Sequence, residues 1–254
     1  MGEVLKPPTK RETNRLARSK LFIDTAMSIV TNEGFDALTM ARLASDLDAA
    51  IGAVYRYFPS KGALVAEVQR EAIERLTSSY LLGRERSDRF FADAALSGEE
   101  LAVARLVYFG RFLCRTSVDY PQEFQLLQML ISDYRILLPL EEGMRVLPSA
   151  LHLLGRAYDC IEAAMAVGAV SDADSMKRVV VFAASVTGVL VLSRLDRYDA
   201  DLFDGVALAH LLMCDLFVGW GASADVVAKT MTLVDQLGEV APLAPPIAPV
   251  PAAV

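Results

Sequence analysis

Thr39 to Phe58 reads TMARLASDLDAAIGAVYRYF, and the fold follows from how this stretch divides. Thr39 is a strong N-cap residue, and Leu43, Ala44 and Leu47 after it fall at helical spacing on one apolar side. Asp48 and Ala49 break that period. A second apolar face, Ile51, Val54 and Phe58, comes next, and its opposite side carries Gly52, Ala53, Tyr55 and Arg56. Pro59-Ser60 ends it. The spacing therefore predicts two short helices joined by a tight turn. Helices of two turns are marginal alone in water, so a longer neighbour must clamp them.

The flanks supply such neighbours. From about Thr13 to Glu33 an amphipathic helix places Phe22, Ala26, Ile29 and Val30 on one stripe, and Gly34 stands where a C-cap with positive φ is wanted. Phe35 and Leu38 are placed to cover its end. Three helices around one small core make a head. Ser60 caps the next helix, with Lys61 in its first turn and Leu64, Val65, Val68, Ile73 and Leu76 as an apolar face running to about Leu82. It links the head to the rest of the chain, and the charged segment Gly83 to Asp93 reads as a boundary or frayed end.

The remaining sequence also reads as helices, so the fold class is all-α, a three-helix head followed by a larger helical body. Ser97-Gly-Glu-Glu opens a helix to about Asp119, and Pro121 opens another to about Leu137. Pro139 and Pro148 bracket a loop or short helix, ahead of a long helix from Pro148 to Val167. Asp172 and Asp174 are caps for Met176 to Leu195, Asp199 or Asp201 for a helix to Trp220, and Ser223 for a last one to about Leu237. The expected organisation is an arm over 1–12, a head over 13–76, a body over 77–240 and a disordered tail over 241–254. Five of the thirteen residues from Pro242 onward are proline.

A chain of 254 residues, 54% hydrophobic, can bury a substantial core. Its mean hydropathy of +0.35 raises the membrane question. The most apolar run, Val179 to Leu192, is 14 residues and falls short of the ~20 that span a bilayer. The N-terminus lacks the apolar stretch of a signal peptide, and Cys114, Cys160 and Cys214 lie among apolar residues, as reduced core thiols of a cytoplasmic protein would. The net charge of −7 is unpromising for a nucleic-acid binder, but its distribution is uneven. Through Gly62 there are nine basic against seven acidic residues, leaving sixteen against twenty-five beyond it. A slightly basic head on an acidic body suits a protein that touches phosphates at one end. The arm, with Lys6, Lys10 and Arg11, is open to two readings, a mobile arm that follows a phosphate backbone or a solvated tail.

Thr39-x-x-x-Leu43-Ala44, then Gly52-x-x-Tyr55-x-Tyr57-Phe58, then Ser60-Lys61 with Leu64 resembles the DNA-binding domain of the TetR family of bacterial transcriptional regulators, over about Leu16 to Leu76. The resemblance implies that Gly52 permits close approach to DNA, that Tyr55 and Tyr57 direct hydroxyls to phosphates, that Lys61 adds a charged contact, and that Arg42 faces the DNA from the supporting helix. Ala53 and Arg56 belong to the same presented surface, and Phe58 with one face of Tyr57 belongs to the core. The chain departs from the family at Asp48-Ala49-Ala50-Ile51, where Gly-Val-Ser followed by a basic or polar residue is usual. Asp48 tolerates a left-handed turn, but Ala50 cannot cap, and Ile51 and Ala53 offer only apolar contact, for example to a thymine methyl.

Catalysis finds no support. His152 and His210 stand far apart without ligands at metal spacing, and no nucleophile motif or phosphate-binding glycine loop is present. No cofactor, metal or enzymatic activity is expected. In the body, Phe109, Phe112, Phe124, Met129, Met144, Tyr158 and Met165 are each best read as core, yet as a set they outline an apolar cavity, with Tyr134, His152 and Arg156 as polar groups to orient a ligand. The resemblance further implies a homodimer through the two most apolar helices, with Val186, Val189, Leu190, Leu212 and Leu216 at the interface. Together these imply a repressor that binds a pseudo-palindromic double-stranded operator and is released by a hydrophobic small molecule. The atypical turn keeps a second reading open, a dimeric ligand-sensing or protein-docking module without specific DNA recognition.

Overall fold

Thr9 starts the first helix in the computed structural model, which describes residues 9–132 and 140–240. Its hydroxyl accepts from the Glu12 N–H, and the Glu12 carboxylate accepts from the Thr9 N–H at 2.7 Å, a reciprocal cap. Helix α1 (Lys10–Glu33) therefore begins three residues ahead of the expected Thr13, and Lys10 and Arg11 are helical. The rest of the arm, residues 1–8, and the tail over 241–254 lie outside the described residues. The stripe Phe22, Ala26, Ile29 and Val30 is buried as its spacing requires, and Gly34 caps the helix at φ 87°. The paired short helices are α2 (Met40–Asp46), capped by Thr39, and α3 (Ile51–Tyr57). Asp48 takes φ 45° in the turn between them.

Helix α4 (Lys61–Asp93) runs 33 residues, well past the expected end near Leu82. Two things carry it through the charged segment. Its inner face continues as Leu76, Tyr80, Gly83, Ser87 and Phe91, all buried, and pairs one turn apart tie it further, Arg84 to Asp88 beside that face and Arg89 to Glu85 on the solvent side. The boundary expected there is absent. The body continues with α5 (Gly98–Asp119), α6 (Pro121–Ser132), α7 (Leu140–Ala166), α8 (Ser175–Val191), α9 (Gly205–Gly219) and α10 (Ala224–Val240). The described residues hold ten α-helices and no strand, an all-α fold.

Three further expectations need correction. Pro148 does not open α7 but lies inside it, because the buried face Glu142, Val146, Ser149, Leu153, Ala157 and Cys160 keeps one helical register across it. Asp204, not Asp199 or Asp201, caps α9, its carboxylate accepting from the N–H groups of Val206 and Ala207 at 2.9 Å. Residues 175–195 form a 21-residue helical run of mean hydropathy 1.7, long enough by length and composition to cross a bilayer. One side of that run, Val179, Phe182, Val186 and Leu190, fills the body core, as it would in a core helix.

Two apolar cores meet along α4. The head core holds the stripe of α1 with Leu38, Leu43, Val54, Phe58, Leu64 and Val68, and also two residues of α6, Leu126 and Met129. The body core begins at Ala66 and Ile73 and extends through α5 and α7 to α10. Within the body α4 packs most extensively on α7. At Gly110 of α5 an added Cβ would overlap the buried Met213 side chain of α9, whose sulfur lies in the space the glycine leaves.

Candidate nucleic-acid interface and body cavities

The outward face of α3 is Ile51, Gly52, Tyr55 and Arg56, all exposed, while Ala53 and Tyr57 are half-buried. Val54 and Phe58 anchor the helix, with the Phe22 ring 5.2 Å from that of Tyr57 and 6.2 Å from that of Phe58. Ile51 thus departs from the anchoring face assigned to it. It lies one turn before Tyr55 and shares that residue's outward side, with 48% of its surface exposed. Ala50 makes no side-chain cap. An exposed isoleucine beside a glycine and a tyrosine offers shape and apolar contact, and Arg56 offers the only charge on this face.

Arg42, expected to face DNA, is already committed. Its Nη atoms donate to both oxygens of Glu33, at 2.7 and 2.9 Å, and its Nε to Asp46 at 2.8 Å. The hydrogen bonds to Glu33, then those to Asp46, hold the guanidinium far above its ordinary value. The fork fastens the end of α1 to α2, so Arg42 braces the helix pair. Lys61, exposed at the first position of α4, has its Nζ 5.5 Å from the Phe35 ring centroid and faces no carboxylate partner among the described ion pairs.

Beside α3 the first turns of α1 complete a cleft of about 620 Å³. Arg11, Asn14 and Arg15 line it from α1, and Arg56 and Tyr57 from α3. Glu12 lines it too, but its carboxylate is spent on the Thr9 cap. Three guanidinium groups around an open cleft next to the presented helix suit a phosphate backbone. Sequence reasoning assigned Arg11 to the arm and gave Asn14 and Arg15 no role, because with α1 starting at Thr13 the three were not seen to share one helical turn beside α3. The signal was there in Thr9-x-x-Glu12, a capping box.

The residues expected to bind a ligand are not gathered in one place. Phe109 and Phe112 are core, packed edge-on around the buried Tyr80 ring at centroid distances of 5.4 and 5.2 Å. Met129 belongs to the head core, because α6 reaches into it. His152 is exposed, Tyr158 is half-buried beside Glu162, whose hydrogen bond raises its phenol, and Tyr134 lies outside the described residues. Phe124 borders a groove of about 330 Å³ between the ends of α5, α6 and α8. Arg156 borders a separate cavity of about 270 Å³ with Tyr80, Arg84, Asp88, Arg105 and Cys160. Burial, then Cys160, pushes the Tyr80 phenol upward. Burial opposes the Arg84 charge, but Tyr80, Cys160 and Asp88 more than offset it. Among the described residues no group of three His, Cys, Asp or Glu could hold a metal ion.

The expected interface positions also divide. Val186 and Leu190 are buried in the protomer's own core, and Val189, Leu212 and Leu216 pack against it half-buried. The period of α8 explains this: Val179, Phe182, Val186 and Leu190 point inward, leaving Met176, Val180 and Val181 outside. Leu211 and Val218 are the exposed apolar residues of α9.

Residues 22–68 match the family model described as bacterial regulatory proteins, tetR family. The repressor KstR of Rhodococcus jostii (strain RHA1), an HTH-type transcriptional repressor, is 34% identical over 61 residues, 24% of this chain and 29% of that protein. The same repressor of Mycobacterium tuberculosis is 42% identical over 55 residues, 21% of this chain and 25% of that protein. The chain thus matches less than a third of the length of these curated relatives. Over the whole fold, the structure of RolR (NCGL1110) in complex with its ligand resorcinol aligns with a TM-score of 0.57 at 15% identity, covering 88% of this chain and 96% of that one. The putative regulatory protein SCO4313 aligns at 0.51 and 20% identity, covering 82% and 98%. At such identities these two likenesses speak for the fold alone. The likeness to the tetR family of bacterial transcriptional regulators therefore lies in the head, over residues 22–68, and the two structures extend a likeness of fold to the body.

Proposed function

We propose that this regulator is a ligand-responsive repressor that binds a pseudo-palindromic operator as a homodimer, in the cytoplasm. The observation that carries the reading is the presented face of α3, Ile51, Gly52, Tyr55 and Arg56, on a helix anchored by Val54 and Phe58 and flanked by Arg11 and Arg15. Gly52 lets the backbone approach the groove, Ile51 and Ala53 read thymine methyls, Tyr55 and Tyr57 reach phosphates, and Arg56, Arg11, Arg15 and Lys61 supply charge. Arg42 acts through its brace on α2. The DNA-binding head spans 13–76 and the ligand-binding and dimerisation body 77–240, with α4 common to both.

The dimer forms through the exposed apolar residues of α8 and α9, where Val189, Leu212 and Leu216 flank Val180, Val181 and Leu211. A small molecule held among the body helices weakens DNA binding by favouring a dimer state with a different head spacing, and DNA must weaken ligand binding by the same factor. A contact between α4 and α7 supports this coupling: the hydroxyl of Ser60, the cap of α4, donates to the Oε1 of Glu142 on α7 at 3.4 Å.

Selection of bound sequences from a random DNA pool tests the reading. The expected product is a pseudo-palindrome with half-sites about one turn, ~10 base pairs or slightly more, apart. A pool that never enriches, with equal and salt-sensitive retention of all sequences, favours instead a helical dimer that senses a ligand or docks a protein. The uncapped Ala50 and the apolar Ile51 and Ala53 are the observations on that side.

A further inference from the structure

The cavity at Arg156 is built from three helices, and its charges do not cancel. Tyr80, Arg84 and Asp88 come from one stripe of α4, Arg105 from α5, and Arg156 and Cys160 from α7. Asp88 is shared, its Oδ1 3.1 Å from both Arg84 Nε and Arg105 Nε. Arg84 also donates to the Tyr80 hydroxyl at 3.2 Å and to the Cys160 thiol at 3.3 Å. Asp159 stands 3.6 Å from Arg156, and the Arg156 Nε is buried with no hydrogen-bond partner. Three guanidinium groups thus face two carboxylates, inside a body that is otherwise acidic. Leaving a buried guanidinium N–H unpaired is costly unless something else accepts from it.

We propose that this cavity is the effector site and that it takes a compact organic carboxylate, whose oxygens accept from Arg156 and its neighbours Arg84 and Arg105. This rests on the reading of the body as a ligand-responsive domain and replaces a purely apolar ligand with an acid. The net lining charge of one suits a monoanion better than a phosphate ester, which carries about −1.5 to −2. At ~30 Å³ per water, the volume holds roughly nine waters, so the acid has on the order of ten non-hydrogen atoms. Tyr80 and Leu81 supply apolar surface for its remainder.

Cys160 gives the cavity a built-in reporter. Iodoacetate and iodoacetamide differ by a charge, and each alkylates a thiolate with loss of iodide. Modification of the full-length protein is mapped by mass, with a neutral cysteine peptide in the same tube as reference. A lining with one positive charge in excess raises the local concentration of a counter-anion, by roughly threefold for each RT of potential. The iodoacetate-to-iodoacetamide rate ratio at Cys160 should therefore exceed that of the peptide about threefold or more, and Arg156→Gln and Arg105→Gln should each bring it back. A ratio equal to the peptide's, or no reaction of Cys160 with either reagent, overturns the proposal and leaves the arginines as a structural network. DNA binding of the two products, with Cys160→Ser treated alike to control for the other thiols, separates the proposal from the reading beneath it. Loss of DNA affinity in the carboxymethyl product alone supports both. Equal loss with either adduct keeps the responsive body but overturns the anion class. A strong iodoacetate preference with DNA binding unchanged in both supports the anion site and defeats its coupling to DNA.

Discussion

Lys61 and Arg42 are both basic residues beside the presented helix, yet they differ in what already holds them. Lys61 faces an aromatic ring and open solvent, so Lys61→Ala should weaken binding to all DNA sequences alike and reduce the salt slope by about one unit. A changed sequence preference at constant slope would assign it to a base instead. Arg42 is held by Glu33 and Asp46, so Arg42→Ala should lower the melting temperature while leaving the salt slope as it was. Filter binding across a salt series, with a thermal melt, checks both. His210 is a third case. Its ring faces Arg111, which is also paired with Asp235 at 2.9 Å, so burial and then Arg111 hold the imidazole below its ordinary value, against Asp235 and Asp204. The unfolded chain takes up this proton first as pH falls, so the stability tied to neutral His210 is full above about pH 6.5 and is lost below it. His210→Gln should flatten the fall in melting temperature on the acid side, and an unchanged slope would count against this histidine. At this scale the sequence was legible where local rules decide, as with Thr39, Ser60 and the left-handed Asp48. It was illegible where a partner comes from far along the chain: nothing near Arg42 distinguishes a phosphate from Glu33, and nothing near Arg156 announces Arg84.

Helix α3 allows structure and function to be separated at one residue. A Cβ added at Gly52 meets nothing within 4 Å, and glycine costs a helix interior roughly 0.5–1 kcal/mol relative to alanine. Gly52→Ala should therefore stabilise the protein by about that amount, while weakening DNA binding if the backbone approaches the groove. Denaturant melts paired with mobility shifts would show both, and a variant that binds DNA as before would mean that Gly52 is not at the contact. Gly110→Ala should do the opposite, destabilising by ~1–3 kcal/mol through overpacking against Met213. The existence of most helices was readable from period and caps. Their ends were not, and the errors share a cause. In α4 and α7 a continuous buried face outweighed local stop signals, the charges of Gly83 to Asp93 in one and Pro148 in the other. A proline reads as a break only when the chain has nothing to gain by continuing.

In the whole molecule the exposed residues of α8 form the surface left over after the protomer core is complete. Val181 is 49% exposed, so Val181→Arg should spare the protomer fold but bury an unpaired charge in each half of a twofold interface, giving folded monomers in sedimentation. An intact dimer would move the interface off this helix. Val186→Arg would not be informative, since that side chain is fully buried and its loss would unfold the protomer first. That α8 and α9 were unusually apolar was plain from the sequence; which side of each faced out depended on the helices they pack against. The head, for its part, is not finished by its own segment. Leu126 and Met129 of α6 fill its core, and Gln69 donates to the Leu126 carbonyl at 3.3 Å, 57 residues away. On a ribosome elongating at ~5–20 residues per second, the DNA-reading part emerges first and then waits about 3–11 s for α6 to be made. Until then its apolar socket stands open to chaperones, so the head cannot close on its own segment and waits for a helix of the body to be made.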